Sequence, residues 1–186
     1  MLTATLRPKT CGVCEKEFLP ARPMQGVCGP RCAMTKVRAE KARERTETRL
    51  RKEAIKTIPD LIRDADKAFA AFIRERDRLA GYPCISSGRK LDWSGNSVDA
   101  GHYRSRGAAS HLRYHEDNCH AQSKQDNRYG AGNVVEYRIN LIARIGLERV
   151  EALETDNESR KWTREDLKVI AATYRAKLRG LKKGVA

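Results

Sequence analysis

Two short cysteine pairs near the amino terminus, Cys11-Gly-Val-Cys14 and Cys28-Gly-Pro-Arg-Cys32, constrain this chain more than any other feature. The segment that carries them, residues 1–35, is too poor in apolar side chains to fold on a core of its own. Pairs at this spacing can bring four thiolates onto one tetrahedral Zn²⁺ with bonds of about 2.3 Å, and the segment then folds on the metal. Cys11, Cys14, Cys28 and Cys32 would fill every ligand position and leave none for water or substrate. The expected zinc is therefore structural. Residues 1–10 contain Arg7 and Lys9 and no apolar stretch resembling an export signal. Six cysteines in a chain retained in a reducing compartment read as ligands or plain thiols, not as a disulfide framework.

Charge sets the class of partner. Lys and Arg number 38 against 24 Asp and Glu, a formal charge of +14, which points to a polyanion and most directly to nucleic acid. No uncharged apolar run has the length of a membrane span. With 40% hydrophobic and 6% aromatic residues, part of the chain must be extended and solvated, which argues against one compact globule. The densest excess lies at residues 36–56, with nine basic and four acidic side chains and no Gly or Pro. This stretch predicts a long basic helix without a broad apolar stripe. It serves either as a charged spacer or as a rod lying on DNA phosphates through Lys41, Arg45 and Arg49.

Further along, Pro59 ends that helix or opens the next. Leu61, Ile62, Ala65, Phe69, Phe72 and Ile73 recur at helical spacing as a core-facing stripe. Gly81 and Pro83 close this helix, and the Gly-, Ser- and Asn-rich region to about Gly107 reads as short strands joined by turns. After Val134 a helix places Val135, Ile139, Ile142 and Ile145 on one face. A last helix opens with Thr163 as N-cap, Asp166 reciprocating at N3 and Trp162 stapled to Leu167. Its buried stripe is Leu167, Ile170, Tyr174, Leu178 and Leu181. The expected organisation is a knuckle at 1–35, a charged helical linker at 36–58, and a domain at 59–186.

All four histidines fall between residues 102 and 120, among carboxylates and asparagines: Asp99-Ala-Gly-His102 and His111-Leu-Arg-Tyr-His115-Glu-Asp-Asn118-Cys-His120. Imidazoles can take a proton from water near neutral pH, and a hard cation on oxygen ligands can neutralise a reacting phosphate. By themselves these residues leave surface histidines and phosphodiester hydrolysis as alternatives.

The run DAGHYRSRGAASHLRYHEDN, followed by a polar helix and GNVVEYRINLIARIG, resembles the phage NinG (Rap) recombination-protein family. The amino-terminal cysteine pairs, the charged helix, the AFIRERDR segment and the KWT opening of the last helix extend the resemblance over nearly the whole chain. The resemblance implies an α+β, mostly helical fold: an amino-terminal zinc knuckle, a long basic helix, an HNH-like (ββα-metal) centre and carboxy-terminal helices. It also implies a metal-dependent endonuclease acting on branched DNA such as Holliday junctions and D-loops, in the cytoplasm of the bacterial host.

By position, His102 corresponds to the general base and Asn118 to the asparagine that orients the base-bearing loop. Asp99 and Asn127, with Asp126 beside it, correspond to ligands of a catalytic Mg²⁺ or Mn²⁺. His120, seven residues before Asn127, would share a helical face with it, either as a direct ligand or as a residue supporting the ligands from behind. Arg104, Arg106 and Arg113 are expected on phosphates, and His111 and His115 at the surface or on phosphates. The family carries a second zinc site built from two CxxC pairs, where this chain has Cys84 with Ser87 and Ser123 with Asp126. A second zinc is therefore not expected, and packing of Tyr82, Trp93 and Tyr103 would hold the hairpin. The alternative reading is a branched-DNA-binding recombination accessory that no longer cuts. Phage or host recombination proteins are candidate partners, and paired cuts would suit a homodimer built on the second or the last helix.

Overall fold

The computed structural model describes residues 7–129 and 132–184, the side chain of Tyr129 excepted. Residues 1–6, part of the amino terminus read above for an export signal, lie outside this range. The chain divides into two compact units, residues 1–56 and 57–186, so the cysteines and the charged helix belong to the same unit.

In the first unit, strands β1 (Lys9–Thr10) and β2 (Glu17–Phe18) pair antiparallel, and the turn between them carries Cys11 and Cys14. Helix α1 runs from Pro30 to Ala54. It starts earlier than the charge pattern suggests because Pro30 occupies the first turn, where a missing N–H costs nothing. Cys32 thereby sits on the helix. At 1.5 Å per residue α1 is about 37 Å long. It has no buried residue, and pairs such as Arg43–Glu47 at 2.9 Å and Lys36–Glu40 at 3.9 Å lie along its surface.

The second unit is built around α2 (Ile58–Leu79) and α6 (Arg164–Lys183), which pack against each other. Pro59 proves to open α2. Thr57 caps it, with Asp60 bonding back to the Thr57 N–H at 2.8 Å, and Thr163 and Asp166 form the matching box on α6. The shared core contains Leu61, Ala65, Phe69, Phe72, Ile73, Leu167, Ala171 and Tyr174. Burying a side chain such as Phe69 stabilises by about 1.5–3 kcal/mol.

Strands β3 (Val98–His102) and β4 (Cys119–Ser123) pair antiparallel, with His102 opposite Cys119 and Asp99 opposite Gln122. Helix α3 (Lys124–Tyr129) follows β4 directly, giving the order strand, strand, helix. Among the described residues, the Gly- and Ser-rich region before β3 forms turns without a further strand. A Cβ at Gly101 would lie 1.8 Å from Gln122 Oε1, so any other residue there has to displace that buried side chain.

The hairpin is fastened to α2 by charge. Asp77 is fully buried, and its Oδ2 accepts from the Ala121 N–H at 2.7 Å while Oδ1 accepts from Arg76 Nε at 2.7 Å. Arg76 in turn donates to the carbonyls of Glu116 and Cys119. Buried charges survive only when paired in this way.

A second core gathers Ile85, Ala109, Leu112, Tyr137, Leu141, Val150 and Leu153 beneath α4 (Val134–Ile145) and α5 (Leu147–Thr155). Here the structure departs from the sequence reading. Val135 and Ile139 are 72% and 57% exposed, and Tyr137 and Leu141 face the core instead. The break between α4 and α5 falls at Gly146, whose φ of +87° suits a residue without Cβ.

Candidate functional site

The four amino-terminal cysteines converge. Their sulfur atoms all lie within 4.8 Å of one another, with Cys14–Cys28 at 3.6 Å and Cys28–Cys32 at 3.5 Å. A tetrahedron with bonds of about 2.3 Å has sulfur–sulfur edges of about 3.8 Å, so the donor set fits Zn²⁺. The backbone N–H groups of Cys14, Cys28 and Val13 favour a thiolate at buried Cys11 and lower it to about 6. These cysteines could hold a structural metal ion, and nothing in the cluster is left over for catalysis.

In the second unit, a cleft of about 510 Å³ opens where α2, β3 and α3 meet. Asp99 and His102 reach it from β3, Asn127 and Arg128 from α3, and Asp66 and Arg74 from α2. Asp99 Oδ2 accepts from Asn127 Nδ2 and Arg128 Nε, each at 3.1 Å. The Asp99 carboxylate is thus held at the mouth of the cleft between a side-chain amide and a guanidinium.

The His102 ring is fixed from two sides. Its Nε2 lies 2.9 Å from the Arg113 carbonyl, to which it can only donate, and that tautomer leaves Nδ1 as the basic nitrogen, 3.8 Å from the Sγ of buried Cys119 on the paired strand. The ring also packs on Phe69 with centroids 6.1 Å apart. Burial lowers the His102 pKa, outweighing its bond to Arg113, so the neutral ring persists below the usual histidine range.

Asn118 anchors the loop that brings Arg113 to this histidine. It is fully buried; its Oδ1 accepts from the Arg104 N–H at 2.8 Å, and its Nδ2 donates to the carbonyls of Arg104 and Leu112. One carboxamide thus pins both ends of the loop between β3 and β4.

Several expected roles move. His120 lies on β4, not on a helix with Asn127, and it points away from the cleft. Its Nε2 donates to the Asp117 carbonyl at 3.1 Å, and its Nδ1 accepts from Arg76 and Arg144 at 3.1 and 3.4 Å. Burial lowers its pKa to about 4, with the two guanidiniums adding to the effect against Asp77.

Arg104 is not available to phosphate either. Its guanidinium is spent on the carbonyls of Leu153 and Asp156 and on Asn157 Oδ1, closing the end of α5. Arg113 and Arg106 both bind Asp66, Arg113 through Nε at 2.7 Å and Arg106 at 3.0 Å, and only Arg106 lines the cleft. Burial would raise the Asp66 carboxyl, but these two guanidiniums overcome it and hold it low. His111 is not a surface group: its Nε2 is 3.0 Å from the Asp156 carbonyl. His115 is exposed, and its Nδ1 accepts from the Asp117 N–H at 3.3 Å. On α1, Lys41, Arg45 and Arg49 are exposed at four-residue intervals, and none has an ion-pair partner among the described residues.

Sequence reasoning missed Asp66, Arg74 and Arg128. The available signal was the spacing of Asp66, Arg74 and Arg78 at multiples of four along α2, beside its apolar stripe.

The four positions Cys84, Ser87, Ser123 and Asp126 also converge, on a carboxylate. Asp126 Oδ2 accepts from Ser123 Oγ at 2.7 Å, Ser87 Oγ at 2.8 Å and Cys84 Sγ at 3.2 Å. One protonated thiol, two hydroxyls and one carboxylate do not fit a tetrahedral zinc site. Burial raises the Asp126 carboxyl, and the three donors more than reverse this. The hairpin is further supported by Trp93, packed on Leu91 and Val98, and by Tyr103 against Tyr137 with centroids 5.5 Å apart. Tyr82 remains 39% exposed beneath the Arg144 guanidinium.

Residues 3–184 match the family described as bacteriophage lambda NinG protein. The chain is 39% identical to Protein ninG of Salmonella phage P22 and to Protein ninG of Escherichia phage lambda, over 91% of this chain and 90% of each relative. It is 37% identical to Protein ninG of Enterobacteria phage H19B over 94% of both chains. No solved structure matches. No described helix is long and apolar enough to cross a membrane. A match across nearly the whole length, joined to relatives of this identity, makes the chain a member of the NinG family of phage proteins.

Proposed function

We propose that this protein is a metal-dependent endonuclease that cuts branched DNA, such as four-way junctions and D-loops, during phage recombination in the host cytoplasm. The observation that carries the reading is the placement of His102, with one nitrogen tied to the Arg113 carbonyl, in the same cleft as the Asp99–Asn127 pair. The strand–strand–helix order that presents them is the one implied by the HNH resemblance.

Asp99 and the Asn127 side-chain carbonyl would hold Mg²⁺ or Mn²⁺, which when bound would supply charge neutralisation at a scissile phosphate. His102 Nδ1 takes a proton from water, and the resulting hydroxide oxygen bonds to phosphorus in line with O3′. The P–O3′ bond breaks, O3′ is protonated from solvent, and the products are a 5′-phosphate and a 3′-hydroxyl. Arg74 lines the cleft without an ion-pair partner among the described residues and binds a flanking phosphate, whereas Arg106 and Arg128 are engaged by Asp66 and Asp99. Lys41, Arg45 and Arg49 give α1 a basic face for a duplex arm.

The test is cleavage of labelled four-way and D-loop DNA by zinc-loaded protein with Mg²⁺ or Mn²⁺, beside His102→Ala. Metal-dependent cutting that vanishes in the variant, with junction binding retained, supports the reading. Tight junction binding without cutting in either protein would make this a structural recombination factor.

A further inference from the structure

A second cleft, of about 270 Å³, adjoins the first: both are lined by Arg74, and they meet at the Val98–Asp99 step of β3. Trp93 and Asn96 form one wall, from the turn before β3, and Arg74, Arg78 and Lys182 form the other. The acidic groups in it are already engaged. Glu75 is bound by Arg78 through two hydrogen bonds of 3.0 and 2.8 Å, and Asp92 caps its own turn by accepting from the Ser94 N–H at 2.8 Å. Arg74 is half-buried and has neither a hydrogen bond nor an ion pair among the described residues. A guanidinium held in that state between two depressions is set up to receive an anion.

The geometry points to a binding site for one unpaired nucleotide of a DNA strand, its base stacked on Trp93 and its phosphate on Arg74. This rests on the DNA-cutting reading above and adds to it the origin of branch selectivity. Only an unpaired base can use such a wall. In a duplex both faces of each base are covered by neighbours, whereas a single strand offers a free π-face to an aromatic side chain. The shared Arg74 then places the next phosphate of the same strand toward His102 and Asp99. Along α2, positions 66 to 78 cover about 18 Å, so the strand would follow the Asp66–Arg78 edge of the helix. Branched DNA exposes unpaired nucleotides at its crossover, and a uniform duplex does not.

The experiment measures equilibrium binding of zinc-loaded protein, without added Mg²⁺ or Mn²⁺, to a blunt duplex and to the same duplex carrying a single-stranded tail. Wild type is compared with Trp93→Ala, Trp93→Phe and Arg74→Gln, each first shown to unfold at the wild-type temperature. The expected result is tighter wild-type binding to the tailed DNA. Trp93→Ala should lose about tenfold on the tailed DNA and nothing on the duplex, with Trp93→Phe restoring most of the loss. Arg74→Gln should weaken the tailed complex similarly, and because Arg74 bonds to nothing it tests the site even if Trp93→Ala unfolds. Equal losses on both DNAs, or none on either, would overturn the site, as would competition by a free mononucleotide matching that by the tailed DNA. If the duplex is bound and junctions are cut while the variants behave as wild type, this inference alone fails. If wild type binds neither DNA, the nuclease reading fails with it.

Discussion

Asn118 grips the main chain of Arg104 from both sides, accepting its N–H at 2.8 Å and donating to its carbonyl at 3.0 Å. This clasp, with a third bond to the Leu112 carbonyl, joins the end of β3 to the start of β4 and fixes the loop whose Arg113 carbonyl orients His102. Replacing Asn118 by Ala removes the partner of the Arg104 N–H and of the Arg104 carbonyl, while the Leu112 carbonyl keeps its bond from the His115 N–H. The expected cost is about 2–4 kcal/mol, read as a lower urea midpoint at unchanged slope. Cleavage should fall further than stability accounts for, because the histidine loses its orientation. A variant with wild-type urea stability would show that the clasp is not structural.

Zinc removal should act on the first unit alone. Chelation, or Cys11→Ser, is expected to erase the structure of residues 1–56 while leaving the unfolding of residues 57–186 unchanged. Metal analysis should return one zinc per chain, and amide exchange resolved by segment would show where protection is lost.

The Asp126 cluster provides the opposite case, a junction whose donor set does not fit zinc. Asp126→Ala strands three donors and should cost about 1–3 kcal/mol, by an amount that chelators do not alter. Since Asp126 precedes Asn127 on α3, metal-dependent cutting should weaken as well. Thermal unfolding with and without chelator distinguishes this from a hidden zinc site.

Acid should destabilise the second unit through His120. Its pKa of about 4 lies below the ordinary value of 6.5, so between these limits the unfolded chain binds the extra proton and the folded one does not. Stability is therefore complete above about pH 6.5 and declines as pH falls toward 4, by on the order of 3 kcal/mol in total. His102, lowered by burial, contributes with the same sign. His120→Gln can keep both hydrogen-bonding roles without titrating, and should flatten the dependence in urea titrations taken at successive pH values.

DNA affinity should fall steeply with salt. Neutralising Lys41, Arg45 and Arg49 together should lower the slope of log affinity against log salt by about 2–3, if each contacts one duplex phosphate. An unchanged slope would leave α1 a charged helix without DNA contacts.

Much of this protein was legible residue by residue because the relevant forces are local. The cysteine spacing, the uninterrupted charged run of α1, the apolar stripe of α2 and the Thr163–Asp166 box each act within a few turns of chain. The strand–strand–helix order of β3, β4 and α3 was likewise expected from contiguous residues read as a family pattern. What only the tertiary structure decided are pairings across tens of residues, which no local period encodes. Arg104 meets the carbonyls that end α5, some fifty positions away, and so is lost to DNA. His120 falls on a strand pressed against Asp77, because β4 pairs with β3 and not with its own neighbours. On α4, Val135, Tyr137, Ile139, Leu141 and Ile142 offer apolar surface all round. Which side is buried depends on Ile85, Leu112 and Val150 arriving from elsewhere. The sequence alone determined which elements could form; the long-range contacts chose the face each one turned inward and the side chains left free to act.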